Sequence, residues 1–197
     1  MFGENRHMSE KIDIATLYLS DYPLGFSGRE IARRLKINHQ TASLALKRMV
    51  KESFLKSHVE GRNIKYHLNF DDFKTKHLLS LAEDHRAQHF LQTFELKSVV
   101  SRILPYVDTI IIFGSFAKGL QKDGSDLDLV LIQSSSRSKI EEVFHLFPRE
   151  INAHYATWKE FTSSFRQGNH LAFEIRKDHI IYGNILKLIG VYSGGGS

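Results

Sequence analysis

Apolar positions recur at three- and four-residue spacing through most of the first half of the chain, then give way to short continuous runs. In "SEKIDIATLYLSDY" the placing of Ile12, Ile14, Ala15, Leu17 and Leu19 predicts a buried helix that Pro23 and Gly25 terminate. In "SGREIARRLKIN", Ser27 followed three residues later by Glu30 is a capping box, opening a short helix with Ile31, Ala32 and Leu35 inward. Asn38 is placed to cap a third helix, "HQTASLALKRMVKES". Ala42, Ala45, Leu46 and Met49 form its inward face, and His39, Gln40, Ser43 and Lys47 face outward. Apolar and polar residues then alternate in "FLKSHV" and "IKYHLNF" around "EGRN", the pattern of a β-hairpin.

Helical spacing resumes from Phe70 to Leu104. "DDFKTKHLLSLAEDH" opens with acids, which favour the helix dipole, and offers Leu78, Leu79 and Leu81 for burial. "HFLQTFELKSVVSRIL" offers Phe90, Leu91, Phe94, Val99, Val100 and Ile103 until Pro105 stops it. No Gly- or Ser-rich linker separates the two halves, so a helical connector over 71–89 is expected to join them rather rigidly. His85 and His89 share a face at metal-ligand spacing; with no third ligand in view they read as solvated surface histidines. Next come two apolar strands around "GSFAKGLQKDGSD", a helix in "SRSKIEEVFHLF" and a strand in "REINAHYAT". The remainder, "TWKEFTSSFRQG" and "LAFEIRKDHIIYGNILKLIG", is helical in pattern, with Trp158, Phe161 and Phe165 expected against the sheet.

Composition narrows the class. Hydrophobic content of 42% and charged content of 25% are those of a soluble globular protein. No apolar run approaches the roughly 20 residues that span a bilayer, so no membrane association is expected. The chain has no cysteine, which excludes disulfides and thiolate metal sites and makes a cytoplasmic location the default expectation. "MFGENRHM" lacks the apolar core and small-residue cleavage site of a secretory signal, and Met8 offers a second start. Residues 191–197, ending in "SGGGS", read as a flexible tail.

Charge is uneven along the chain. The formal charge of +5 is mild, yet residues 29–67 hold ten Lys or Arg against three acids, leaving the rest slightly acidic. So concentrated a basic segment points to a polyanionic partner. Three helices followed by a hairpin, with a polar outer face on the third helix, resemble the winged helix-turn-helix family of DNA-binding domains over residues 9–70. That resemblance implies double-stranded DNA as partner and a homodimer as a common state. It places His39, Gln40, Ser43 and Lys47 in the major groove, and Arg62 and Lys65 of the hairpin at the backbone or minor groove. A packing or dimerisation module with solvated charges is the plainer alternative.

The stretch "IIIFGSFAKGLQKDGSDLDLVLI" carries the chemistry of the second half. After the strand 109–113, "GSFAKG" turns into a short helix where backbone amides and a hydroxyl can face an anion. On the following strand Asp126 and Asp128, two residues apart, project to one side while Leu127 and Leu129 go to the other. Two carboxylates held together call for a cation between them, and Mg²⁺ typically takes one or two carboxylates plus substrate phosphates.

Gly-Ser, ten residues, then Asp-Leu-Asp, between two apolar strands, is similar to the signature of the DNA polymerase β-like nucleotidyltransferases, over residues 90–190. The resemblance implies an α+β chain: a winged helix-turn-helix followed by a small nucleotidyltransferase fold with a mixed β-sheet flanked by helices. It implies that Gly114 and Ser115 hold the β- and γ-phosphates of a nucleoside triphosphate, expected to be ATP. Lys118 and Ser125 join the nucleotide-binding residues, Lys118 and Lys122 offsetting phosphate charge or remaining solvated. Asp126 and Asp128 are the implied catalytic residues and ligands of Mg²⁺ or Mn²⁺. The family's third carboxylate, on the next strand, aligns with Asn152, which brings no charge; Glu150 and His154, on the same strand face, are candidate substitutes. Glu174 in "FEIRKDHIIYG" resembles a tail of minimal members and is read as structural.

Two functions follow from these resemblances. One is an enzyme transferring a nucleotide to a hydroxyl of a nucleic acid or of a protein supplied in trans. The other is a DNA-binding transcriptional regulator whose nucleotidyltransferase fold is inactive or senses nucleotide. Action on RNA ends ranks last, because no additional RNA-gripping domain accompanies the fold.

Overall fold

The computed structural model describes residues 2–90 and 94–194, with the side chains of 7–90 and 95–194. Core positions expected for the side chains of Leu91 and Phe94 lie outside the described residues. The chain divides into two compact units, Met1–Ala82 and Glu83–Ser197.

In the first unit, α1 (Phe2–Thr16) is followed by β1 (Phe26–Ser27), α2 (Gly28–Leu35), α3 (His39–Lys51), β2 (Leu55–Glu60) and β3 (Asn63–Leu68). The strands form an antiparallel sheet in the order β1-β3-β2. Both expected caps are present. Ser27 and Glu30 make the reciprocal capping box, and Asn38 accepts from the Thr41 amide at 2.7 Å. α1 ends earlier than its apolar spacing predicts. The amides of Leu17, Tyr18 and Leu19 bond back only three residues, which tightens the chain into turns. Tyr18 and Tyr22 are thereby buried, and the Tyr18 hydroxyl reaches the Tyr66 carbonyl at 2.8 Å. Ala42, Ala45, Leu46 and Met49 are buried as their spacing predicts.

The expected connector corresponds to α4 (Phe73–Phe90), and the division between the units falls within it. Leu78 and Leu79 are buried, but Leu81 is exposed. It is Ala82, not Leu81, that completes the buried face of Leu78 and Leu79 at helical spacing. His85 and His89 are exposed, their rings 4.4 Å apart.

The second unit continues with α5 (Phe94–Ile103), a 3₁₀ turn at Leu104–Tyr106, β4 (Thr109–Phe113), α6 (Gly114–Ala117), β5 (Leu127–Ile132), α7 (Arg137–Phe144), β6 (Ile151–Ala156), α8 (Trp158–Arg166), α9 (His170–Lys177), β7 (Ile180–Gly183) and α10 (Ile185–Tyr192). The mixed sheet runs β6-β5-β4-β7, with β5 and β6 parallel and the other pairs antiparallel. One face, with Ile110, Ile112, Leu127, Leu129 and Leu131, packs against Val99, Val100, Ile103 and Ile140 of α5 and α7. Roughly 25 cal/mol per Å² of buried apolar surface makes this face the main support of the site above it.

Two expectations for the C-terminal segment need correction. "IIYG" is not part of a helix but forms β7, paired antiparallel to β4. The run is too short and too uniformly apolar to reveal its period, and its end is enforced by Gly183, at φ +102. A Cβ there would stand 2.2 Å from the Asp108 carbonyl. Nor does a tail begin at residue 191. Val191 and Tyr192 are buried residues of α10, and Tyr192 stacks near Phe161, Phe165 and His179. Residues 195–197 lie outside the described residues.

Candidate active site

The ends of β4 and β5 meet where the sheet's apolar face gives way to carboxylates. Phe113 lies opposite Asp128 in the antiparallel register, and Asp128 lies beside Asn152 in the parallel one. Leu127 and Leu129 are buried on one side, while Asp128 is half-buried and Asp126 exposed on the other. The two aspartates therefore share a face.

Gly114 follows Phe113 directly and sits at φ +69. A Cβ added to it would stand 2.3 Å from Oδ2 of Asp128, so the absence of a side chain is what admits that carboxylate. α6 begins at Gly114 and Ser115, both half-buried, and its N-cap Phe113 supplies no side-chain cap. The start of this turn thus lies beside the carboxylate of Asp128.

Asn152 completes the cluster. Its Nδ2 donates to Oδ2 of Asp126 at 3.4 Å and to Oδ1 of Asp128 at 3.5 Å, both long hydrogen bonds. Asn152 thus brings an amide within reach of both aspartates. His154 lies two residues further along β6, beside Val130, with its ring 6.1 Å from Phe113. Glu150 instead lines a cleft of about 450 Å³ with Glu95, Asp123, Gly124, Asp126, Pro148 and Arg149. Among the described residues, no group of three or more His, Asp or Glu is disposed to hold a metal ion. What the site offers a divalent cation is two carboxylates, and oxygen donors of this kind suit a Mg²⁺ ion completed by phosphate and water.

The other expected nucleotide-binding residues divide into two kinds of environment. Ser125 belongs to the loop that delivers Asp126: its Oγ accepts from the Lys122 amide at 2.8 Å, and its own amide donates to the Lys122 carbonyl at 3.0 Å. Arg149, which the sequence reading did not single out, donates to that same carbonyl at 3.1 Å and so ties the loop to the turn before β6. Lys118 is exposed, and its Nζ lies 3.8 Å from Asp178 and 4.0 Å from Glu174. Its charge is already partly offset within the fold.

A buried polar cluster elsewhere in the second unit carries no signal in the sequence. Glu83 accepts from Arg86 at 2.8 Å and lies 3.0 Å from Nε2 of His179, and Glu83 and His179 have no exposed surface. Burial, with the Glu83 charge beside it, raises the Tyr192 hydroxyl pKa well above the ordinary tyrosine value. Sequence spacing gives no sign of it, since Glu83 and His179 are 96 residues apart. Trp158 is held similarly, its indole donating to Asp108 at 2.7 Å, which with Phe161 packed inside gives the aromatic trio a structural role.

In the first unit, His39, Gln40 and Lys47 are exposed along α3, with Ser43 half-buried beside them. Arg62 is exposed in the two-residue turn between β2 and β3, where Gly61 takes φ +60. Lys65 does not extend from the hairpin. It donates to Glu30 at 2.8 Å, and this bond, with those from Ser27, lowers the Glu30 carboxyl pKa to about 2. Arg48 is likewise paired, with Glu10.

No curated protein and no solved structure matches the chain. Residues 95–179, which contain Gly114, Ser115, Asp126, Asp128 and Asn152, match the family model of the nucleotidyltransferase domain, and the match supports nucleotidyl transfer as the general activity of that segment.

Proposed function

We propose that the second unit binds the divalent-cation complex of a nucleoside triphosphate, ATP being the expected one, and transfers its nucleotidyl group to a hydroxyl of a protein or nucleic acid. The observation that carries this reading is the closure of Gly114, Asp126, Asp128 and Asn152 on one another within the segment that matches the nucleotidyltransferase family. A divalent ion bound there, Mg²⁺ or Mn²⁺, supplies neutralisation of phosphate charge. Gly114 and Ser115 present backbone amides to the β- and γ-phosphates, while the bare Cα of Gly114 lets Asp128 stand close. The buried strands hold the carboxylates in place, so little reorganisation is needed when substrate arrives. The acceptor hydroxyl comes from a separate molecule and attacks the α-phosphorus, with pyrophosphate leaving.

The first unit, in this reading, is a winged helix-turn-helix with limits near 9–70 that binds double-stranded DNA. Support comes from the exposed row His39, Gln40 and Lys47 on α3 and from Arg33, Arg34 and Lys36, exposed at the end of α2 and just beyond it. A cytoplasmic location and a homodimer on paired half-sites are part of the same proposal. Among the described residues no helix is long and apolar enough to cross a membrane.

The test is incubation with α-labelled ATP, Mg²⁺ or Mn²⁺ and candidate acceptors, beside an Asp128→Asn variant. Label is expected on an acceptor with the native chain and lost with the variant; transfer that survives the substitution contradicts the role given to Asp128. The amide at 152 favours a second reading, a DNA-binding regulator that senses nucleotide without transferring it. Tight nucleotide binding with no label transfer to any acceptor distinguishes it.

A further inference from the structure

The cluster at the ends of β5 and β6 carries two negative charges on three converging side chains. Asp126 and Asp128 supply both, and Asn152 donates one amide group to the two of them. Two carboxylates balance one divalent ion. A second ion about 3.5–4 Å from the first, as in two-metal centres, needs a shared carboxylate and a further anionic oxygen of its own. The position from which that oxygen would come is residue 152, directly beside Asp128 on the neighbouring parallel strand. An amide oxygen there brings no charge.

The other acids nearby do not replace it. Glu95, Asp123 and Glu150 line the cleft beside Asp126 together with Arg149, and no three-ligand group forms among the described residues. The amide also does what a carboxylate cannot. Its hydrogens point at both aspartates and offset their repulsion with no ion present, and rotation about the terminal bond would turn Oδ1 toward an ion that arrives.

We propose that Asn152 sets the cation stoichiometry of this site at one. Asp126 and Asp128 take the single divalent ion that accompanies the nucleotide phosphates, and Asn152 holds the empty pair together while withholding a second ion. The inference rests on the reading of the cluster as a nucleotide site.

Native mass spectrometry of the full chain with Mn²⁺ and the α,β-methylene analogue of ATP, which cannot be cleaved at the relevant bond, counts ions per nucleotide-bound chain. One Mn²⁺ is expected for the native chain and two for Asn152→Asp. In chelator, Asn152→Asp should also melt below the native chain, and Mn²⁺ should raise its melting temperature by more. Two ions on the native chain overturn the inference while leaving the nucleotide reading intact, and so does a folded Asn152→Asp variant that holds only one. Absence of any nucleotide-bound chain overturns both. If Asn152→Asp does not fold, the native count alone decides.

Discussion

Oδ2 of Asp128 lies 2.3 Å from the point where a Cβ on residue 114 would stand, so Gly114 and Asp128 exclude one another unless residue 114 has no side chain. The backbone there also takes φ +69, which costs any other residue about 1–3 kcal/mol. Gly114→Ala is therefore expected to lower stability by that amount and to push Asp128 out of the cluster. Urea denaturation and nucleotide binding by calorimetry check the two parts, and an alanine variant with native affinity for Mg²⁺-ATP would contradict the placement of Asp128.

Much of this site was legible because its signals are local. Gly-Ser, Asp-Leu-Asp and the two flanking strands lie within 24 residues, and the alternation of Leu127, Asp128 and Leu129 sets which side chains share a face. Parallel pairing places Asn152, on the next strand, beside Asp128. The cap at Ser27 was readable from its three-residue spacing to Glu30, and that at Asn38 from its residue type just ahead of an apolar-periodic run. What escaped was decided by distant partners. β7 is a strand because β4 offers it an edge, and Glu83 is buried because His179 and Arg86 meet it. Lys65 looked like a free cation of the hairpin until folding brought Glu30 within reach.

The buried Glu83 cluster makes a sharp stability prediction. Removing a buried hydrogen-bonded carboxylate leaves its partners unsatisfied, at a cost of about 1–3 kcal/mol. Glu83→Ala strands Arg86 and takes the partner from His179. A loss of this size is expected in urea denaturation of the full chain, and a loss below about 1 kcal/mol would mean that the cluster is not closed in solution.

Glu30 predicts an acid limb for the first unit. Its folded pKa of about 2 lies below the ordinary 4.5, so its contribution is present above pH 4.5 and is lost as pH falls toward 2. Asp72 and Glu160 are also lowered, mainly by backbone hydrogen bonds, so the difference between native chain and Glu30→Gln is the quantity to read. That difference should shrink from pH 5 to pH 2. A difference that is constant over this window would show that Lys65 does not hold Glu30 ionised.

For the proposed DNA-binding face, affinity for duplex DNA should fall steeply with salt, as counterions are released from neutralised phosphates. Lys47→Ala is expected to weaken binding and reduce the slope of log K against log salt by about one. Fluorescence anisotropy over a range of salt concentrations measures both. An unchanged slope removes α3 from the interface.

Whether Gly114, Asp126 and Asp128 form a cation-dependent nucleotide site is decided by equilibrium binding of ATP, with Mg²⁺ and with chelator, on the native chain and on Asp128→Asn. Binding is expected with Mg²⁺ on the native chain only, with a matching stabilisation of about 2.7 kcal/mol at a hundredfold excess over Kd. Affinity that is indifferent to Mg²⁺, or that survives Asp128→Asn unchanged, would contradict it.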